Sequence, residues 1–199
     1  MSPRKPTENE SPGLRQRIID AASQIFVEEG YEHLSMRRVA QIVGCSQMAA
    51  YRHFANKEAL TQHLCAQLYT DFSSRMFRQM EAADEPWEQI RIFISALVNF
   101  AVSYPDHYSL VFLVRHADES VIAERERLGE EFLQTIHELI RRVLPQDTPV
   151  ATSNMRLRQV LTCLHGTAAL LIAHPRAYGL TKVKAIKDAE DTIMRLLRD

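Results

Sequence analysis

The sequence predicts an all-α fold, and three observations predict it. From Leu14 onward, apolar residues return at helical spacing in nearly every segment. Glycines, prolines and capping residues interrupt that rhythm at short intervals, as helix ends require. The one run that reads as a strand, Leu110-Val-Phe-Leu-Val114, has no second strand to pair with. The expected architecture is an N-terminal three-helix helix-turn-helix domain, a long fourth helix and a C-terminal helical bundle, about nine helices in all. Its expected divisions are a disordered tail at 1–13, a helix-turn-helix domain at 14–58 and a second domain at 59–199.

The tail is rich in Pro, Ser and Glu; Arg4 and Lys5 leave open a minor-groove arm as its alternative use. Leu14, Ile18, Ala22, Ile25 and Phe26 mark one face of a first helix, which Gly30 ends. Ser35 is the expected N-cap of a short second helix carrying Val39, Ala40 and Val43, and Gly44 closes it. Ser46 caps a third helix reaching about His53, and Asn56 a fourth. The fourth carries Leu60, Leu64, Leu68, Phe72, Met76 and Met80. A four-residue spacing drifts about 40° per step, so this stripe turns by roughly 200° along its length. Its two ends must face nearly opposite sides, as in a helix that joins two cores.

Trp87, Ile90, Phe93, Leu97, Phe100 and Tyr104 form the next helix, stopped at Pro105, and Asp106 to Arg115 follows it. Leu128, Phe132, Ile136, Ile140 and Val143 mark a long helix whose outer face carries Glu124 to Arg127, Glu130 and Glu131. A Pro-containing loop is expected at 145–153. The segment from Arg156 to His174 is apolar almost all round, and Pro175 follows it. The last helix, about Lys182 to Arg198, is expected to bury Val183, Ile186, Ala189, Ile193 and Leu196.

Composition narrows the function. The 199 residues are 46% hydrophobic and 25% charged, which excludes wholesale disorder and a disulfide scaffold. No apolar run approaches the roughly 20 residues of a membrane span, and no secretion signal opens the chain, so the cytoplasm is expected and no membrane partner. Net charge is −1, yet from His33 to Lys57 there is no Asp or Glu while Arg37, Arg38, Arg52 and Lys57 supply four positive charges. One local cationic segment in a neutral chain points to a polyanion site.

That segment is also where the chain turns most sharply. A short helix, the Gly44-Cys45-Ser46 turn and a second short helix give helix-turn-helix punctuation, whose second helix lies in the DNA major groove. The groove-facing helix offers Gln47, Met48, Tyr51, Arg52 and His53, with Ala49 and Ala50 leaving room for DNA. Gln bonds adenine bidentately, Arg reaches guanine or phosphate, and a Tyr hydroxyl bonds phosphate. For Tyr51, core packing against Phe26 is the alternative. Ser35, Ser46, Arg37, Arg38 and Lys57 complete the candidate DNA-binding set, Lys57 from the first turn of the fourth helix.

The stretch Ser35-Met-Arg-Arg-Val-Ala-Gln-Ile-Val-Gly-Cys-Ser-Gln-Met-Ala-Ala-Tyr-Arg-His-Phe-Ala-Asn-Lys-Glu-Ala-Leu60 resembles the DNA-binding signature of the TetR family of transcriptional repressors. The matching elements are Ser35, Val39-Ala40, Gly44, Tyr51 with Phe54, and Lys57-Glu-Ala-Leu60; Ala22, Phe26 and Gly30-Tyr31 fit upstream. At Met48-Ala49-Ala50 the chain departs from the small or hydroxyl residues of many relatives, which bears on the bases read. The resemblance implies a homodimer paired through its last two helices and a small-molecule pocket in the C-terminal domain. Phe100 to Phe112, with Leu164-His-Gly-Thr-Ala-Ala-Leu170, is similar to one C-terminal subgroup of that family. Two recognition helices about one DNA turn apart, ~34–36 Å, then imply a pseudo-palindromic double-stranded operator.

The expected dimer interface is Leu161, His165, Gly166, Ala169, Ala173, Ile186, Ile193 and Leu197, where small residues allow close helix approach. The expected ligand residues are Phe72, Met76, Phe93, Leu97, Phe100, Tyr104, Tyr108, Phe112, His116, Phe132, Ile136 and His165, with core packing as the alternative for the aromatics. Aromatic, Met-containing and free of carboxylates, that set suits a largely apolar effector, neutral or anionic. A metal site is not expected: His63 and Cys65 face different ways on a helix, and His116, His137 and His165 sit on separate segments. No phosphate loop, nucleophile elbow or metal-ligand pair is present, so neither an enzyme nor a cofactor is expected. A DNA-binding architectural protein with no effector is the alternative to a ligand-responsive regulator.

Overall fold

The computed structural model describes residues 13–113, 119–176 and 179–199, the side chains of 113, 119–125 and 128 excepted. The expected tail falls outside them, Arg4 and Lys5 included, save Gly13, which opens the first helix. Among the described residues there are nine α-helices and no strand. Contacts divide the chain into two units, one ending at Leu68 and one beginning at Tyr69.

In the first unit, α1 (Gly13–Glu29) buries Leu14, Ile18, Ala22, Ile25 and Phe26. Gly30, at φ 90°, ends it, and a 3-10 turn at Tyr31–His33 leads on. α2 (Met36–Val43) begins at Ser35, whose hydroxyl accepts from the Arg38 N–H at 3.3 Å. α3 (Gln47–His53) begins at Ser46, which accepts from the Ala49 N–H at 3.1 Å. α4 (Lys57–Glu81) begins beside Asn56, whose Oδ1 accepts from the Ala59 N–H at 2.7 Å. α2 packs on α1 and α3 on α2. Two guanidinium groups fix α2 to α1 at both ends: Arg38 donates to the Glu29 carboxylate, and Arg17 donates to the Val43 carbonyl.

α4 buries Leu60 and Leu64 near its start and Tyr69, Met76 and Met80 farther along, while Leu68 and Phe72 are half-buried. Tyr69, which the expected stripe leaves out, is buried as well. In the second unit, α5 (Pro86–Ser103) packs against α7 (Glu119–Val143), α8 (Val150–Ala173) and α9 (Lys182–Arg198). The short α6 (Pro105–Tyr108) follows the stop at Pro105. Arg91 on α5 donates to Glu190 on α9 at 2.7 Å, and Arg198 lies over the Trp87 ring at 5.2 Å.

The run that could pass for a strand is helical as far as it is described, a π-helical turn over Ser109–Leu113 continuing from α6, and no strand stands among the described residues to pair with it. Two local expectations change. α8 starts six residues before Arg156, at Val150; Pro149 precedes it, and buried Ser153 donates to the Val150 carbonyl at 3.0 Å. Val183 is not buried but 76% exposed, and the inward face of α9 runs instead through Ala185, Ala189, Ile193, Met194 and Leu197, with Leu196 half-buried.

Gly44 stands at φ +74°, and a Cβ placed there meets nothing within 4 Å. Substitution therefore carries only the left-handed conformational penalty. Gly44→Ala should destabilise the first unit by about 1–2 kcal/mol, read as a lower unfolding midpoint in urea; an unchanged midpoint would contradict that backbone geometry.

Candidate nucleic-acid interface and effector core

α3 has seven residues, and its two faces differ sharply. Ala49 and Ala50 are turned inward, Ala49 only 2% exposed. Ala49 therefore does not face a groove: its methyl packs inside the unit, where only a small residue lets α3 lie close to its neighbours. The outward face is Gln47, Met48, Tyr51 and Arg52, with Met48 70% exposed. His53 is half-buried. Tyr51 does not pack as the ring partner of Phe26; that place is taken by Tyr31, edge-on at 6.2 Å. Phe54 is core, beneath Arg15 at 5.0 Å and beside His63.

The four expected cations have different surroundings. Arg37 and Arg52 are exposed and make no ion pair among the described residues. Lys57 extends over the Tyr31 ring, its Nζ 3.8 Å from the centroid, which holds the side chain in place. Arg38 is engaged: its Nη1 and Nη2 donate to the two Glu29 oxygens at 2.8 and 2.6 Å. Those hydrogen bonds lower the Glu29 pKa below its ordinary value. Glu29 lies in the acidic stretch Glu28 to Glu32 just before the acid-free run, and charge along the sequence does not show that it pairs with Arg38. Ser35 and Ser46 spend their side-chain oxygens as caps.

In the second unit the structure gathers the expected ligand residues into two adjoining groups. Met76, Phe93, Leu97, Phe132 and Ile136 belong to the main core. Phe100 and Tyr108 form a smaller cluster with Phe72, Tyr104 and Phe112 packed against it. Phe72 stacks on Phe100 at 4.4 Å, and Phe112 lies 4.9 Å from Tyr108 and 5.2 Å from His165. Tyr69, absent from the expected set, links the groups through Phe112 at 6.0 Å and Phe132 at 5.8 Å. Within the rings sits one polar pair: fully buried Tyr108 shares a 2.5 Å hydrogen bond between its Oη and His165 Nδ1. Burial raises the Tyr108 pKa and lowers that of His165, so both stay neutral. His116 lies outside the described residues. His137 Nε2 is 3.0 Å from Ser153 Oγ, a bond between α7 and α8.

Of the expected dimer residues, Gly166 and Ala173 are exposed and Leu161, His165, Ala169 and Ile186 half-buried. Ile193 and Leu197 are not available to a partner: both are buried in the unit's own core, because the inward face of α9 runs through them. The sequence reading missed Leu170, 44% exposed, and Val183 as outward apolar residues on the same two helices.

Residues 18–64 match the family model described as bacterial regulatory proteins, tetR family, and residues 90–198 match the tetracyclin repressor-like C-terminal domain. The chain belongs to the TetR family. It is thus a DNA-binding transcriptional regulator, as the helix-turn-helix reading expected. It is 26% identical over 200 residues to the HTH-type transcriptional regulator SrpR of Pseudomonas putida, covering 97% of this chain and 89% of that one. Two solved TetR-like folds superpose over most of the chain. The fatty acid degradation regulator FadR of Bacillus halodurans has a TM-score of 0.71 at 17% identity, over 93% of this chain and 96% of its own. FadR of Bacillus subtilis, solved with stearoyl-CoA, has a TM-score of 0.68 at 15% identity, over 92% and 96%. No helix among the described residues is long and apolar enough to cross a membrane.

His107, on α6 beside this aromatic cluster, is almost wholly buried, and desolvation lowers its pKa from 6.5 to about 4. The folded chain resists a proton that the unfolded chain accepts, so its stability contribution is full above pH 6.5 and is lost as pH falls toward about 4. His107→Gln should show a shallower fall of the urea midpoint across that interval than the native chain; parallel pH curves would contradict it.

Proposed function

We propose that this TetR-family regulator is a repressor that binds a pseudo-palindromic operator as a homodimer and is released by a small, largely apolar molecule. In this reading the outward face of α3 enters the major groove. Gln47, Met48 and Arg52 read base edges; Tyr51, Arg37 and Lys57 grip phosphate. Repression is supported by the repressor-like family model of the C-terminal region.

The observation that carries the effector reading is the Tyr108–His165 pair enclosed by aromatic rings. Either assignment of the shared proton leaves one N–H or O–H able to donate to a ligand. Rings without carboxylates favour an apolar body, and that donor favours a carbonyl or carboxylate at one end. The fold-level likeness to a regulator solved with an acyl-CoA agrees with this chemistry. Because α4 carries residues of both units, a ligand near Phe72 or Met76 acts on the helix that leads to the DNA-binding unit. A hundredfold loss of operator affinity needs only about 2.7 kcal/mol of coupling, within the usual allosteric range. Dimerisation through α8 and α9 is supported by their outward apolar residues Leu170 and Val183, together with open space at Gly166. Cytoplasmic residence follows from this role.

The test combines release and assembly. Fatty acids, their thioesters, neutral lipophiles and lipophilic cations are titrated against protein on its selected operator, and sedimentation reads the oligomer. The expected result is a dimer released by the neutral or acidic compounds and made monomeric by Leu170→Glu with Val183→Glu. Release by cations alone would overturn the pocket chemistry. No release by any compound would favour a DNA-binding regulator without an effector.

A further inference from the structure

The Arg38–Glu29 pair joins two charges that each sit at the wrong end of a helix. Glu29 is the last residue of α1, where the helix dipole disfavours an acid, and Arg38 lies in the first turn of α2, where it disfavours a base. Pairing relieves both. The contact is two-pronged, at 2.8 and 2.6 Å, the fork geometry with which a guanidinium grips the oxygens of a phosphate. Arg37, one residue away, and Arg52 on α3 have no carboxylate of this kind among the described residues. Acids are absent from the whole His33–Lys57 run, and among the described residues Glu29 reaches into it from α1 and takes one guanidinium.

We propose that Glu29 stands in for a DNA phosphate on Arg38, withdrawing that cation from the DNA-binding surface and holding down sequence-independent affinity. Arg38 is then a positioning residue for α2, and the cations left to phosphate are Arg37 and Lys57, with Arg52 at the base edges. A regulator gains from such a device because non-specific affinity comes almost wholly from phosphate neutralisation, whereas base reading does not depend on it. The inference rests on the first unit's binding DNA, and not on the operator's symmetry or on any effector.

The experiment measures affinity of the full chain for a random-sequence duplex across a salt series. Glu29→Gln, which keeps the size and one accepting oxygen, should tighten binding and steepen the log–log salt slope by about 0.9 per bound chain. Glu29→Asp, which keeps the charge but shortens the reach, should give a smaller change and guards against loss of folding in the first variant. Glu28→Gln, removing a neighbouring charge from the same helix end, should leave the slope where it was. Combining Glu29→Gln with Arg38→Ala should return it to the native value. A native slope in Glu29→Gln, or a steepened slope that survives removal of Arg38, would overturn the proposal. Native protein with no salt-dependent binding would instead overturn the DNA-binding reading beneath it.

Discussion

Gly44 takes φ 74° and ψ 33°, its N–H reaches back to the Ala40 and Gln41 carbonyls, and the Cys45 N–H donates to Ala40 O at 3.0 Å. This left-handed stop ends α2 and starts the chain toward Ser46 and α3 in a fixed direction. The two faces of α3 follow from it. With that direction set, Ala49 and Ala50 lie against the unit and Gln47, Met48, Tyr51 and Arg52 point away from it. The clamps from Arg17 and Arg38 matter for the same reason, since they hold α2 to α1 at both ends and so give the turn a rigid base.

The second unit is held differently. Its core is apolar and aromatic, and three polar pairs tie its helices together: Tyr108 with His165, His137 with Ser153, Arg91 with Glu190. The π-helical turn at Ser109–Leu113 sits directly after Tyr108 and carries Phe112, which touches Tyr69, Tyr108 and His165. Such turns widen a helix locally and are common where a protein makes room for function.

Much of this was legible in the sequence. Caps at Ser35, Ser46 and Asn56 and the glycine stop at Gly44 are local chemistry, and each stands where its residue type places it. Helical period alone located α9 to both ends. What escaped was set by packing between elements. Ala49 looked available because alanine suits a close-approach surface, and only the fold decides whether the approaching surface is DNA or protein. Ile193 and Leu197 looked free for a partner because period gives the apolar stripe of a helix and not which neighbour covers it. Periodicity places the start of α8 too late, because Val150 to Met155 lacks an apolar rhythm, although Pro149 ahead of it is a helix-start signal. Arg38 counted as a phosphate cation because its carboxylate lies nine residues upstream on another helix.

The proposed function requires the outward face of α3 to read the major groove. Methylation interference on the selected operator tests it directly, because guanine N7 lies in the major groove and adenine N3 in the minor groove. The account predicts interference at N7 positions in two major-groove patches on one face of the duplex, about 34–36 Å apart. Interference confined to N3, or to one isolated patch at full occupancy, would contradict it.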